Sequence, residues 1–87
     1  MQPSYGPAWN NLAVLLLGEG KTEEAANTLR EAIGKAPLEE ILYLNLGRIH
    51  LGRGNRVEAI GVMRELLRVK PDSKVAQQAL VDLSGPQ

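Results

Sequence analysis

Two stretches of the sequence decide the fold: residues 9–37 read WNNLAVLLLGEGKTEEAANTLREAIGKAP, and residues 43–71 read YLNLGRIHLGRGNRVEAIGVMRELLRVKP. Sliding the chain along itself until Trp9 lies on Tyr43 superimposes the two stretches, with asparagine on asparagine, glycine on glycine and proline on proline. A fixed period of about 34 residues is typical of repeat proteins, in which each repeat is one unit of supersecondary structure. The sequence therefore predicts the same structural unit twice.

Apolar residues recur three and four positions apart within each unit, which is the spacing of one face of an α-helix. In the first unit the two faces are formed by Trp9, Leu12, Ala13 and Leu16, and by Ala25, Leu29, Ala32 and Ile33. Small residues mark the positions where two helices are expected to approach closely, namely Ala13, Ala25, Gly47 and Ala59. Each unit is therefore predicted to be a hairpin of antiparallel helices, without strands.

Glycine and proline indicate where these helices end. Gly20 and Gly54 follow the first helix of each unit, and Pro37 and Pro71 follow the second helix. These signals predict five helices, at residues 7–18, 22–35, 39–52, 56–69 and 73–83.

Polar residues at the helix starts predict N-terminal caps. Thr22 is expected to cap the second helix, because its hydroxyl can accept a hydrogen bond from an amide of the first turn. Asn55, with Glu58 three residues later, has the spacing of a capping box. Glu23 and Glu24 lie in a first turn, where the helix dipole favours negative charge.

A series of motif residues recurs in both units. In the first unit it consists of Trp9, Leu12-Ala13, Gly20, Ala25, Leu29, Ala32 and Pro37. In the second unit it consists of Tyr43, Leu46-Gly47, Gly54, Ala59, Met63, Leu66 and Pro71. This series resembles the tetratricopeptide repeat family, although His50 stands where that family often carries tyrosine. The resemblance implies an all-α fold of about five helices, a right-handed superhelical stack of antiparallel helical hairpins.

The expected organisation is a single domain over residues 1–87. Repeat 1 covers about residues 6–39, repeat 2 covers about residues 40–73, and residues 74–84 form one further helix. That helix is either a C-terminal cap with a polar outer face or the beginning of a partial third repeat. Pro3 lies one repeat length before Pro37, in the closing position of another repeat, which also allows the chain to be a piece of a longer array.

Composition argues against several classes of function. The chain has no cysteine and one histidine, too few soft ligands for a zinc or iron site, and no cofactor is expected. Ten basic residues balance ten acidic ones, so net charge draws the chain neither to nucleic acid nor to a membrane surface. The longest apolar run, residues 12–17, is too short to span a bilayer. The absence of cysteine fits the cytoplasm without singling it out.

The sequence also contains no convincing catalytic arrangement, and the chain is expected not to be an enzyme. Residues 18–22 end like a phosphate-binding loop, but Leu15 stands where that motif needs a glycine, and no strand precedes it. His50 occupies a packing position, with no serine or cysteine placed to face it. Five arginines of the second half form either a patch for an acidic partner or an ordinary solvated face: Arg48, Arg53, Arg56, Arg64 and Arg68.

The resemblance implies that the first helix of each repeat lines a concave groove. Asn11 and Asn45 lie one repeat apart, and their carboxamides either pair with the backbone of an extended peptide or are consensus residues without a ligand. The candidate groove residues are Asn11, Val14, Leu17, Ile41, Leu44, Asn45, Arg48, Leu51 and Gln78.

The predicted function is that of a non-catalytic protein–protein interaction module, which binds a peptide or a partner helix in this concave groove. One alternative is an accessory repeat segment of a larger enzyme or of a secretion or assembly machine. Another is a self-associating structural scaffold, a homo-oligomer in which exposed repeat ends stack on another copy. The partner is thus expected to be a protein or peptide.

Overall fold

The computed structural model describes residues 6–84, with side chains from residue 8 onward, and every regular element in that range is an α-helix. The predicted role of Pro3 lies outside the described residues. The helices are α1 (Gly6–Gly18), α2 (Thr22–Lys35), α3 (Glu40–Gly52), α4 (Arg56–Val69) and α5 (Lys74–Ser84). These bounds agree with the predicted ranges to within a residue at each end, which confirms the all-α prediction.

The turns that end α1 and α3 share one hydrogen-bonding pattern. Gly20 and Gly54 have φ angles of 81° and 79°, in the left-handed region that favours glycine. After α1, the amide of Gly20 donates to the carbonyl of Leu17 (3.0 Å), and the amide of Lys21 donates to the carbonyl of Leu16 (2.8 Å). Equivalent bonds recur one repeat later, in the turn after α3. Both turns are therefore Schellman motifs, and the glycines end the helices as predicted.

Two predicted N-terminal caps are wrong. Thr22 is the first residue of α2, and Lys21 takes the cap position without a side-chain hydrogen bond. Asn55 does precede α4, but its side chain makes no cap hydrogen bond, so the capping box with Glu58 is not formed. The backbone ψ angle of Asn55 is 70°, outside the extended conformation that directs a cap side chain toward the following amides.

A side-chain cap does form at the start of α5. Ser73 is buried, and its Oγ accepts a hydrogen bond from the amide of Ala76 at 3.1 Å. Ala76 is itself buried in the cluster that joins α5 to α4. The cap therefore fixes the first turn of α5 at the point where this helix enters the core.

The core consists of two clusters of buried side chains. The larger cluster joins both hairpins and contains Ala13, Ala25, Ala26, Leu29, Ala32, Leu42, Leu46 and Ile49. The smaller cluster joins α3, α4 and α5 and contains Tyr43, Met63, Leu66 and Ala76. A Cβ atom on Gly47 would lie 3.2 Å from Cε of Met63, so α3 and α4 approach as closely as the small residue predicts.

One part of the predicted packing face is wrong, because Leu12 is exposed. Trp9, Ala13 and Leu16 are buried or half-buried, but Leu12 is 44% exposed. Its counterpart Leu46 is 5% exposed, because it packs against the first hairpin. In the described part of the chain no preceding hairpin covers Leu12. Periodicity identifies a helix face but does not reveal whether a neighbour lies on it.

The helix α3 lies at the centre of the stack. It packs against the other four helices, whereas the backbones of α2 and α4 do not approach each other closely within residues 6–84. The stack therefore curves, with α1, α3 and α5 on its inner side and α2 and α4 on its outer side. It is a thin body of 42 × 29 × 14 Å. Among the described helices, none has both the length and the apolar character needed to cross a membrane.

Candidate functional site

A groove runs between α3 and α5 on the inner side of the stack. A depression of about 250 Å³ is lined by Leu44, Gly47, Arg48, Leu51 and Met63 on one side and by Ala79, Asp82 and Leu83 on the other. A neighbouring depression of about 410 Å³ shares several of these residues and adds Lys74, Val75 and Gln78. Together they form one surface, which we call the α3–α5 groove.

The inner surface continues from α3 toward α1. A third depression, of about 260 Å³, is lined by Leu17, Thr22, Arg48, Ile49, Gly52 and Arg53. Arg48 lines this depression and the α3–α5 groove. The inner surface is therefore continuous along α1, α3 and α5.

The structure brings together part of the predicted set of groove residues. The ones that line these depressions are Leu17, Leu44, Arg48, Leu51 and Gln78. Asn11, Val14 and Ile41 are exposed on α1 and α3 but do not line them. Asn45 is half-buried on α3, one turn before Arg48.

The asparagine contact between α1 and α3 is made by a residue that the sequence did not single out. The Asn45 amide donates a hydrogen bond to Oδ1 of Asn10, not to Asn11. Oδ1 of Asn45 in turn accepts a hydrogen bond of 3.4 Å from Arg48. A shift of one repeat aligns Asn10 with Leu44, a predicted groove residue, and that alignment is the signal that could have identified it.

Asp82 is a second groove residue that the sequence analysis missed. It lines both parts of the α3–α5 groove, and its Oδ1 accepts a hydrogen bond of 3.1 Å from Gln78. The period aligns Asp82 with Arg48, so extending the groove prediction to α5 would have found it. The two equivalent positions place opposite charges on opposite walls of one groove.

The arginines of the second half do not form a free basic patch. Arg53 donates to Glu23 at 2.9 Å, and Arg68 donates to Glu65. These hydrogen bonds lower the pKa of each carboxyl group below its ordinary value. Arg56 donates to a backbone carbonyl in the last turn of α5 at 2.7 Å. With the hydrogen bond from Arg48 to Asn45, four of the five side chains are therefore engaged within the chain.

Another depression, of about 400 Å³, lies on the outer side between α2 and α4. Its lining consists of Arg30, Ile33, Tyr43, Leu46, His50, Glu58, Gly61, Val62 and Glu65. His50 is buried, and no serine or threonine hydroxyl lines this depression beside it. Within the described residues, no three side chains of the metal-binding types come together as a candidate metal site.

The comparison with known families agrees with this geometry. The model of a family described as tetratricopeptide repeat matches residues 16–83, which is most of the chain. This chain belongs to the tetratricopeptide repeat family. No curated protein matches the sequence. Tetratricopeptide repeats mediate protein–protein interactions and are in general non-catalytic.

Proposed function

We propose that this tetratricopeptide repeat chain is a non-catalytic module that binds an extended peptide or a helix of a protein partner along the inner side of its stack. The observation that carries the proposal is the α3–α5 groove. There, apolar side chains such as Leu44, Leu51 and Leu83 surround a few polar groups. Peptide grooves commonly combine an apolar lining, which supplies affinity, with sparse polar groups, which set orientation.

The charged residues of the groove suggest how a ligand is oriented. Arg48 belongs to α3 and Asp82 to α5, and both line the same depression. A peptide that carries an acidic side chain beside Arg48 and a basic side chain beside Asp82 satisfies both groups. The reversed peptide places like charges together, which costs binding free energy. We therefore expect the groove to prefer one peptide direction.

A matched pair of charge insertions tests the site. Peptides selected from a random library on the immobilised chain supply the ligand, and calorimetric titration measures its affinity. Leu51→Lys places a charge in the groove and is expected to weaken binding about tenfold, or ~1.4 kcal/mol. Val57→Lys adds the same charge at an 82% exposed position of α4, away from the groove, and should leave affinity unchanged. Equal affinities for the two variants contradict the proposal.

A second set of variants tests the asparagines. The combined change Asn11→Ala and Asn45→Ala is expected to weaken the same peptide, since each lost hydrogen bond costs roughly 0.5–1.5 kcal/mol. Asn10→Ala is the informative companion, because Asn10 holds the Asn45 amide. If Asn10→Ala loses as much affinity as the double variant, then Asn45 acts on binding through its hydrogen bond between α1 and α3. Circular dichroism confirms that each variant is folded.

A further inference from the structure

The depression between α2 and α4, which we call the outer depression, is short and enclosed on three sides. Its floor is the buried side of α3, formed by Tyr43, Leu46 and His50, and its walls are α2 and α4, whose backbones stay apart. The lining runs from Tyr43 to His50 on α3 and from Glu58 to Glu65 on α4, each about 10 Å along a helix. Its volume of about 400 Å³ therefore suits a small molecule rather than a long peptide segment.

Two residues that line the outer depression depart from the repeat. His50 stands where the first repeat has Leu16, and Gly61 stands where it has Asn27. Glycine in a helix interior is less stable than alanine, so it normally has a packing reason. No atom lies within 4 Å of the place that a Cβ atom on Gly61 would take, so packing does not require this glycine. Its effect is to leave the α4 wall of the depression open.

His50 contributes a polar atom without a partner. Its side chain is 5% exposed, and among the described residues none forms a hydrogen bond with its buried Nδ1. Such an atom costs folding free energy, and a polar ligand group or a bound water that supplies the missing hydrogen bond recovers it. Apart from His50, the floor consists of Leu46 and the ring of Tyr43, whose hydroxyl already donates to the carbonyl of Pro37. The floor therefore favours a ligand that is largely apolar but carries a polar group.

The two walls carry opposite charges that the chain itself does not balance. On the α4 wall, Glu65 is paired with Arg68, but Glu58 forms no ion pair in the described part of the chain. On the α2 wall, Arg30 donates a hydrogen bond of 3.1 Å to the neutral Asn27 and likewise has no acidic partner there. A ligand with a single charge would face a like charge on one wall, whereas a zwitterion meets an opposite charge on each wall.

We propose that the outer depression binds a small zwitterion with an apolar body, namely an α-amino acid that has an apolar side chain. The ammonium group pairs with Glu58 and the carboxylate pairs with Arg30. The apolar side chain lies on Leu46, between Ile33 and Val62. Because Glu58 and Arg30 are both exposed, solvent screens the two ion pairs, and the dissociation constant is in the millimolar range.

This site is separate from the site of peptide binding. None of the residues that line the outer depression lines the α3–α5 groove. Leu51→Lys should therefore leave amino-acid binding intact, and changes in the outer depression should leave peptide binding intact. Failure of one proposal is thus distinguishable from failure of the other.

Titration of the whole chain, followed by the chemical shifts of its amides in NMR spectra, tests the ligand class. L-leucine, L-methionine and L-phenylalanine are the probes, and they should give saturable shifts centred on Gly61 and His50 at concentrations up to about 10 mM. L-leucinamide lacks the carboxylate and N-acetyl-L-leucine lacks the ammonium group. Each should bind at least about tenfold more weakly than L-leucine, at a slightly acidic pH where the amines are protonated.

Two results of this titration overturn the proposal. The first is the absence of saturable shifts with all three amino acids. The second is binding of L-leucinamide as tight as that of L-leucine, because that result assigns the site to the N-terminus of a peptide rather than to a free amino acid.

Matched charge variants assign the binding to the two walls. Glu58→Gln and Arg30→Gln should each weaken the binding of L-leucine at least about fivefold. Glu24→Gln and Arg64→Gln make the same changes one repeat away, at positions that do not line the depression, and should leave the affinity unchanged. Equal affinities within either matched pair contradict the proposed charge recognition.

A matched pair of glycine variants tests the cavity itself. Gly61→Leu fills the open wall and should weaken the binding of L-leucine at least about tenfold. Gly18→Leu also replaces a helical glycine with no neighbouring atoms around its Cβ position, but lies outside the depression and should keep the affinity. Leucine has a higher helix propensity than glycine, so both variants should fold, which circular dichroism checks. A Gly61→Leu variant that binds L-leucine like the unaltered chain overturns the site.

Discussion

The central helix α3 and the last helix α5 hold the same position in the repeat but differ in what covers them. Six residues of α3 are buried, whereas Ala76 is the only fully buried residue of α5. Where α3 carries Gly47 beneath Met63, α5 carries the exposed Val81. The repeat therefore requires a small residue only where another helix lies on top.

On the side that faces the preceding repeat, α3 and α5 instead make the same contact. Tyr43 Oη donates a hydrogen bond of 2.7 Å to the carbonyl of Pro37, and Gln77 Nε2 donates one of 3.2 Å to the carbonyl of Pro71. The residue type has changed, but the contact with the closing proline is kept. In α5, therefore, the contact with the preceding repeat is kept, while the residues that meet solvent differ from those of α3.

The largest expected effect on stability comes from comparing α3 and α1 at equivalent positions of the repeat, Leu46 and Leu12. Leu46→Ala removes a buried side chain and should lower the free energy of unfolding by about 2–5 kcal/mol. Leu12→Ala makes the same chemical change where the side chain is exposed and should cost less than about 1 kcal/mol. Urea denaturation measures both. Similar losses would show that α1 is covered after all.

A smaller effect is expected where Gly47 and Val81 differ. Gly47→Val places in α3 the residue type found at the equivalent position of α5. The new side chain would press against Met63 and should lower the free energy of unfolding by about 1–3 kcal/mol. Val81→Ala changes an exposed residue and should stay within about 0.5 kcal/mol. Thermal denaturation of the two variants measures the difference. A Gly47→Val variant as stable as the unaltered chain would contradict the close approach of α3 and α4.

The cap of α5 can be compared with the missing cap of α4. Ser73→Ala removes an acceptor used by the amide of Ala76 and should lower stability by about 0.5–2 kcal/mol. Asn55→Ala removes a side chain without a cap hydrogen bond and should cost only about a few tenths of a kcal/mol. Denaturation curves in the same buffer distinguish the two. The order would be reversed if Asn55 were the working cap.

The smallest effect is a pH dependence at the start of α3. Lys70 Nζ lies 2.8 Å from Glu40 Oε2, and this hydrogen bond lowers the pKa of Glu40 below its ordinary value of 4.5. A carboxyl group whose pKa is lowered by folding stabilises the fold above its unfolded pKa and loses that effect as pH falls through the folded pKa. The melting temperature should therefore fall below about pH 4.5, and Glu40→Gln should reduce the slope. If the melting temperature of the variant depended on pH with the same slope, Glu40 would not be the cause of the pH dependence.

Local signals explain which parts of the fold were predictable. Gly20 and Pro37 act within a few residues of their own position, so the helix ends followed from the sequence. The exposure of Leu12 depends on a neighbour that periodicity does not describe. The hydrogen bond between Asn10 and Asn45 depends on the offset between two helices, which an alignment of the two repeats does not reveal.

The groove residues divide in the same way. Leu44 and Arg48 follow from the position of α3 in the repeat, and both line the groove. Asp82 follows from the same alignment, because it lies one repeat after Arg48, but its charge is opposite to that of its counterpart. The wrong cap prediction at Asn55 has a different cause, because the residue type was suitable but the backbone angle was not.

The position of α5 at one edge of the stack has a consequence for dynamics. It contacts only α3 and α4, whereas α3 contacts every other helix, so we expect α5 to detach as a unit while both hairpins stay folded. Its amide protons should then exchange with solvent through this partial opening, more readily than those of α3. Because α5 supplies one wall of the groove, a bound peptide would slow the exchange in α5 first, and its apparent affinity would scale with the fraction of molecules in which that wall is docked.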